Sequence, residues 1–220
     1  MFCLVHGAWH GGWCWAPLTR ELEARGHEVV APDLPTDDPA AGLHDFAGAV
    51  GAQPGAIVVG HSYGGLILPL IEARLHVYLC ALVPTPGRPT AEVFGDALDP
   101  DFGGTTRDAL GRTYWPSLDI AADRLYGDYP RHVVEWAFPL LRPQAQNAVG
   151  GVYPLSELPP IPAAYVLARG DRAVLPDWSA DTAQQRLGVE PLAVGGGHFP
   201  MFDRPGELAD LLEGLLEQLA

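Results

Sequence analysis

The sequence predicts an α/β fold: a mostly parallel sheet of about six strands, helices on both faces, and an inserted cap. Three observations carry this expectation. Short apolar runs alternate with stretches of helical character, the pattern of a parallel sheet covered on both sides. The run Ala56-Ile57-Val58-Val59 leads through Gly60-His61-Ser62-Tyr63-Gly64 into the helix-compatible Leu66-Ile67-Leu68, so a strand, a sharp turn and a helix start follow one another. The chain has 220 residues and 48% hydrophobic content, enough to bury a full core within the length of one α/β domain.

Taken in order, Phe2–Val5 reads as a buried strand that runs into the Gly-rich turn His6-Gly7-Ala8-Trp9-His10-Gly11-Gly12. Ala16–Arg25 is expected as a helix, Glu28–Ala31 as a strand, Leu43–Val50 as a helix and Ala56–Val59 as a strand. Tyr63–Arg74 is expected as a helix bent at Pro69, whose ring removes one backbone hydrogen bond. Val77–Val83 follows as a strand. The alternation then stops, and prolines, glycines and aromatics accumulate, so residues 86–160 are read as a cap inserted into a core of residues 1–85 and 161–220. Strands at Ala164–Ala168 and Pro191–Val194 complete the sheet, with a helix at Trp178–Leu187 between them. The last helix, Pro205–Leu219, spaces Leu208, Leu211, Leu212, Leu215 and Leu219 by three and four, which gives it one apolar face for the sheet. With almost nothing ahead of Phe2, the Glu28–Ala31 strand should form a sheet edge, and an open edge is compatible with a monomer or a homodimer.

A formal net charge of −14 argues against nucleic-acid and anionic-membrane partners, which reward clustered Lys and Arg. Cys3, Cys14 and Cys80 are an odd number of thiols in or beside apolar segments and read as reduced core residues. Met1-Phe2 enters a strand without a basic leader, and no apolar run reaches the ~20 residues that span a bilayer. A cytoplasmic protein is expected.

The chemistry is concentrated at strand ends. Ser62 sits on the turn between Gly60 and Gly64, where a strand-to-helix elbow exposes a hydroxyl that attacks poorly without help. A carboxylate, Asp171, follows the apolar run Ala164–Ala168, and an imidazole, His198, follows Leu192-Ala193-Val194. Asp171 is the natural acid, because the strand ending at Val83 carries Cys80 and Thr85 but no carboxylate. The turn after Phe2–Val5 can aim backbone donors inward, so the N–H groups of Ala8 and Tyr63 are assigned to an oxyanion hole. Trp9, Trp115, Trp136, Phe199 and Met201 are expected to line an apolar pocket above Ser62. His6 and His10 have metal-like spacing but lie in a Gly-rich loop without a Cys or carboxylate cluster, so no metal and no cofactor are expected. His61 is expected to pack or bond within its turn.

The stretch Leu4-Val5-His6-Gly7-Ala8-Trp9-His10-Gly11-Gly12-Trp13-Cys14-Trp15, the Gly60–Gly65 turn, Leu141-Arg142-Pro143-Gln144 and Gly197-His198 together resemble the plant methylesterase and hydroxynitrile lyase branch of the α/β-hydrolases, with its bacterial relatives. The resemblance covers nearly the whole chain and is patchy between Pro86 and Pro160. It implies the α/β-hydrolase fold, the chain order serine, acid, histidine, and acyl transfer on a small-molecule ester. The lyases of that branch carry a threonine after the histidine of the first motif and a lysine after the catalytic histidine. Here those positions are Gly7 and Phe199, which implies the esterase side. Three alternatives stay open: a C–C lyase, a small-molecule receptor of the same fold with little turnover, and a scaffold.

Overall fold

The strands form where the sequence is continuously apolar, because both faces of the sheet are covered. The computed structural model describes residues 1–127 and 129–219. Along the chain it runs β1 (Phe2–Val5), α1 (Ala16–Ala24), β2 (Val29–Val30), α2 (Leu43–Val50), β3 (Gln53–His61) and β4 (Ala73–Leu79). There follow α3 (Val93–Ala97), a hairpin of β5 (Thr106–Arg107) and β6 (Thr113–Tyr114), α4 (Leu118–Ile120) and α5 (Arg131–Ala137). The chain then returns to the sheet with β7 (Ala163–Ala168), α6 (Pro176–Thr182), β8 (Leu192–Val194), α7 (Pro200–Asp203) and α8 (Pro205–Glu217). The six sheet strands lie in the order β2-β1-β3-β4-β7-β8, and each neighbouring pair is parallel.

Side chains alternate across the sheet with a period of two. Phe2, Leu4, Ile57, Val59, Val77 and Val166 join one core with Leu18 and Leu22 of α1 and Leu208, Leu212 and Leu215 of α8. Cys3, Val5, Val58, Tyr78 and Tyr165 join the other core with Leu43, Phe46 and Val50 of α2. Each fully buried Leu or Phe contributes roughly 1.5–3 kcal/mol by leaving water. The apolar stripe of the last helix thus packs as its spacing predicts. Among the described residues, no helix is long and apolar enough to cross a membrane.

Three sequence expectations need correction. The edge strand is β2, at the edge as expected but only Val29–Val30 long. The helix expected over Tyr63–Arg74 does not form. Two 3₁₀ turns, Ser62–Leu66 and Leu68–Leu70, replace it, and β4 occupies Ala73–Leu79 where a strand was expected at Val77–Val83. The reason is distance. Ala73 pairs with Gln53, so Ser62 through Glu72 must carry the chain back along the whole nine-residue β3, roughly 27 Å at about 3.3 Å per residue. Eleven residues of α-helix advance only about 16 Å, whereas a 3₁₀ path at about 2 Å per residue covers more of the span. Pro69 lies in the first turn of Leu68–Leu70, where its missing N–H is not needed. At Cys80, with φ 47°, the chain leaves the sheet and crosses the Ser62 turn, and the Leu82 N–H donates to the Ser62 carbonyl at 3.0 Å.

Candidate active site

Ser62 terminates β3 in the left-handed region, φ 53°, a conformation that costs a non-glycine residue about 1–2 kcal/mol. The turn closes against β1, since a Cβ on Gly64 would stand 2.8 Å from the Val5 carbonyl oxygen. The structure brings three side chains to this point from three strand ends. His198 Nε2 lies 3.0 Å from Ser62 Oγ, and His198 Nδ1 lies 2.8 Å from Asp171 Oδ2. The other Asp171 oxygen accepts the N–H groups of Ala173, at 2.8 Å, and Val174, at 3.0 Å. This satisfied carboxylate fixes the proton on Nδ1 and leaves Nε2 to accept the serine proton. Asp171 and His198 are each only 5% exposed.

Neighbouring groups hold the imidazole loop. His61 Nε2–H donates to the His198 carbonyl at 2.8 Å, which ties the serine turn to the histidine turn. The Tyr129 hydroxyl accepts the Phe199 N–H at 2.9 Å. Cys80, absent from the sequence-derived site, lies behind Asp171 and donates toward its carboxylate, and burial keeps the thiol protonated. Cys80, Asp171 and His198 do offer three metal-ligand atoms within 4.8 Å of one another. A protonated thiol is a poor ligand, and the Asp171 and His198 atoms already bond each other.

His6 and His10 build the loop that faces Ser62. His6 Nδ1–H donates to the Gly7 carbonyl at 2.8 Å, and its Nε2 accepts the Leu34 N–H at 3.0 Å. His10 Nδ1–H donates to the Ala8 carbonyl at 2.7 Å, and its Nε2 faces the Tyr126 hydroxyl at 3.1 Å. Burial lowers the two pKa values to about 4 and about 3, so both rings are neutral and their lone pairs are engaged. Trp9, between them, has φ 61°.

A cavity of 470 Å³ opens over Ser62, and Ala8, Tyr63 and His198 are in its wall. Trp9 and Phe199 line it as expected, together with Leu82, Phe94, Leu98 and Phe102. The other three aromatic and sulfur side chains expected there stand elsewhere. Trp115 is buried behind Trp9, edge to face at 5.4 Å between ring centroids. Met201 belongs to the core beneath the sheet end, and Trp136 is 42% exposed, resting on Trp13 and Phe202. The polar part of the lining includes Thr113, Gln144 and Gln146, which sequence reasoning did not select, although Leu141-Arg142-Pro143-Gln144 was a motif. A larger cavity, 620 Å³, shares His198 but not Ser62, and its lining includes four aspartates and three arginines.

Each of the six arginines between residues 86 and 160 is engaged by an acceptor. Arg88 pairs with Glu92, Arg112 with Asp108, Arg124 with Asp123, Arg131 with Asp119 and Glu135, and Arg142 with Asp37. Arg107, which borders the cavity over Ser62, turns its guanidinium to the Gly111 carbonyl at 2.9 Å.

Residues 4–211 match the alpha/beta hydrolase family. The chain is 29% identical to methylesterase 2 of Arabidopsis thaliana, over 96% of this chain and 94% of that protein. It is 28% identical to a carbendazim hydrolyzing esterase of Nocardioides sp. (strain SG-4G), over 97% of this chain and 98% of that one. In three dimensions it superposes on a pyrethroid hydrolase from Sphingobium faniae JZ-2 with a TM-score of 0.74 and 24% identity, covering 98% of this chain and 96% of the other.

Proposed function

The chain belongs to the α/β-hydrolase family, and we propose that it is a serine esterase that cleaves a small, neutral carboxylic ester. The observation that carries this reading is the unbroken contact from Ser62 through His198 to Asp171, opening on a cavity of 470 Å³. In the proposed reaction His198 Nε2 takes the Ser62 proton as Oγ attacks the ester carbonyl. Asp171 stabilises the imidazolium that forms. The N–H groups of Ala8 and Tyr63 stabilise the negative oxygen of the tetrahedral intermediate. Its collapse breaks the ester C–O bond, and the alcohol leaves with the proton from Nε2. Water then gives a proton to His198 and adds to the acyl carbon; the acyl C–Oγ bond breaks as His198 returns that proton to Ser62 Oγ, which frees the acid and restores both side chains.

Residues 86–160 act as the cap over this site, with residues 1–85 and 161–220 as the core. The neutral-substrate reading is supported by the cap arginines, whose charges are spent on acceptors instead of on the cavity. An unpaired carboxylate on the substrate would then lose its hydration without a partner. Ester cleavage is favoured over C–C cleavage by Phe199, which occupies the place where a cation would stabilise a departing anion.

A fluorophosphonate should label Ser62 stoichiometrically, and Ser62→Ala should remove both labelling and hydrolysis of p-nitrophenyl and aryl methyl esters, with kcat falling by about 10⁴-fold or more. An adduct on another residue of the folded protein, or an active Ser62→Ala, sinks the assignment.

A further inference from the structure

We propose that Gln144 is a positioning residue for the oxyanion hole: its side-chain amide holds the Trp9 N–H and so anchors the loop immediately after Ala8, whose own N–H belongs to the preceding Gly7–Ala8 peptide. The inference rests on the esterase reading, in which that N–H is a donor to the substrate oxygen.

The loop needs such a hold because Trp9 has φ 61°, a conformation that a β-carbon disfavours. A flip of the Ala8–Trp9 peptide changes ψ of Ala8 and φ of Trp9 together. It would relieve the strain at Trp9 and release the Ala8 carbonyl from His10, which frees the loop on the C-terminal side of Ala8. Both ends of this peptide are gripped. The Ala8 carbonyl accepts His10 Nδ1–H at 2.7 Å, and the Trp9 N–H donates to Gln144 Oε1 at 3.4 Å.

The orientation of the Gln144 amide is itself determined. Its Nε2–H donates to the Ala145 carbonyl at 3.0 Å, which leaves Oε1 toward Trp9. Gln144 is 1% exposed, and loss of its acceptor leaves the Trp9 N–H without this protein partner. The surrounding strap adds two further grips on the same residue. The Arg142 N–H donates to the Trp9 carbonyl at 2.8 Å, and the indole Nε1–H of Trp9 donates to Thr113 Oγ1 at 3.1 Å. Thr113 and Gln144 exchange both backbone hydrogen bonds, at 2.9 and 2.8 Å, so the strap and the β5–β6 hairpin form one frame around Trp9. The Leu141-Arg142-Pro143-Gln144 motif therefore acts on the reaction through the backbone of another loop, without needing to touch the substrate.

The test compares Gln144→Met, which keeps size but removes the acceptor, with Gln144→Glu, which keeps an oxygen at that position. Gln144→Met should lower kcat about 10- to 100-fold while KM stays within about threefold, since the donor matters most in the transition state. Its affinity for a trifluoromethyl ketone, which binds as an oxyanion, should fall in parallel. Gln144→Glu should recover most of both. If Gln144→Met lacks a cooperative thermal transition, Gln144→Leu, which likewise removes the acceptor of the Trp9 N–H, serves in its place with the same expected split. An active wild type labelled at Ser62 whose kcat and ketone affinity survive in the variant overturns this inference alone, as does an equal loss in Met and Glu. A wild type that neither labels at Ser62 nor cleaves esters overturns the inference together with the esterase reading.

Discussion

The floor of the cavity over Ser62 is made by strand ends, whereas its walls are made largely by residues 86–160, and different forces hold the two. On the floor, Ser62, Asp171 and His198 follow β3, β7 and β8, whose register is locked by a continuous parallel ladder and two apolar layers. In the walls, strands of two residues and helices of three to seven are joined by ring contacts and by exposed i,i+4 ion pairs such as Arg88–Glu92 and Arg131–Glu135. A ladder positions atoms, because every residue inherits its place from its neighbours. Side-chain packing shapes a volume and tolerates exchange. The floor should therefore be intolerant of change and the walls permissive, and four measurements press on that contrast.

The largest expected effect is on acid stability. His6 and His10 are buried neutral beside the floor, with folded pKa values lowered to about 4 and about 3, while the unfolded chain takes up their protons near pH ~6.5. Since the unfolded state binds more protons, stability is complete above pH ~6.5 and is lost as pH falls toward those folded values, about 1.4 kcal/mol per pH unit for each ring. Between pH 6.5 and 5 the two together should cost about 3 kcal/mol, because at pH ~6.5 the unfolded rings are already half protonated. Urea unfolding at the two pH values reads this directly, and a midpoint that does not move would mean that the rings are already charged in the fold. The exposed His132 of α5 should leave this loss unaltered when replaced by alanine.

Next comes a matched pair of glycines. A Cβ at Gly65 would lie 2.3 Å from the Leu82 carbonyl oxygen, a backbone contact that cannot swing away, so Gly65→Ala should cost about 3 kcal/mol or prevent folding. At Gly103, in the walls, nothing lies within 4 Å, and Gly103→Ala should stay within about 0.5 kcal/mol of wild type. Equal unfolding midpoints for the two variants would erase the contrast.

Smaller again is substrate charge. A neutral ester should exceed its carboxylate-bearing counterpart in kcat/KM by about tenfold, roughly 1.4 kcal/mol. A preference for the charged member would show that an arginine, Arg107 first, leaves its carbonyl partner for the cavity. The smallest effect belongs to Trp136→Ala. The ring lies outside the cavity, so kcat/KM should change by less than about twofold. A tenfold change would move Trp136 back among the substrate contacts.

The same contrast governs what could be read from the sequence. Ser62, Asp171 and His198 were legible because each follows an apolar run such as Ala56–Val59 or Ala164–Ala168, and a run that must be buried on both faces leaves little doubt about where its strand ends. The α8 stripe was legible from a different signal, leucines spaced by three and four that pack on the sheet. The stretch 62–72 was misread because helical period is a local signal, whereas the span back to Gln53 is fixed by the register of a neighbouring strand. Trp115, Trp136 and Met201 were placed at the cavity because aromatic and thioether side chains suit an apolar wall, but partners far along the chain decide which way each points: Trp9 for Trp115, and Trp13 and Phe202 for Trp136. Cys80 was read only as a reduced core thiol, because its contact with Asp171 lies 91 positions later and no spacing rule links them.

The two 3₁₀ turns after Ser62 have an electrostatic consequence. A full α-helix beginning at such a turn would direct the positive end of its macrodipole, worth about half an elementary charge, at the substrate oxygen. Here the first segment has five residues and the second three, so few peptide dipoles are aligned behind the turn. In the proposed reaction, negative charge on the oxygen would then be met at short range, by individual N–H groups whose pull falls steeply as angle and distance degrade. The rate should accordingly respond little to ionic strength and strongly to sub-ångström displacement of the Ala8 and Tyr63 backbones.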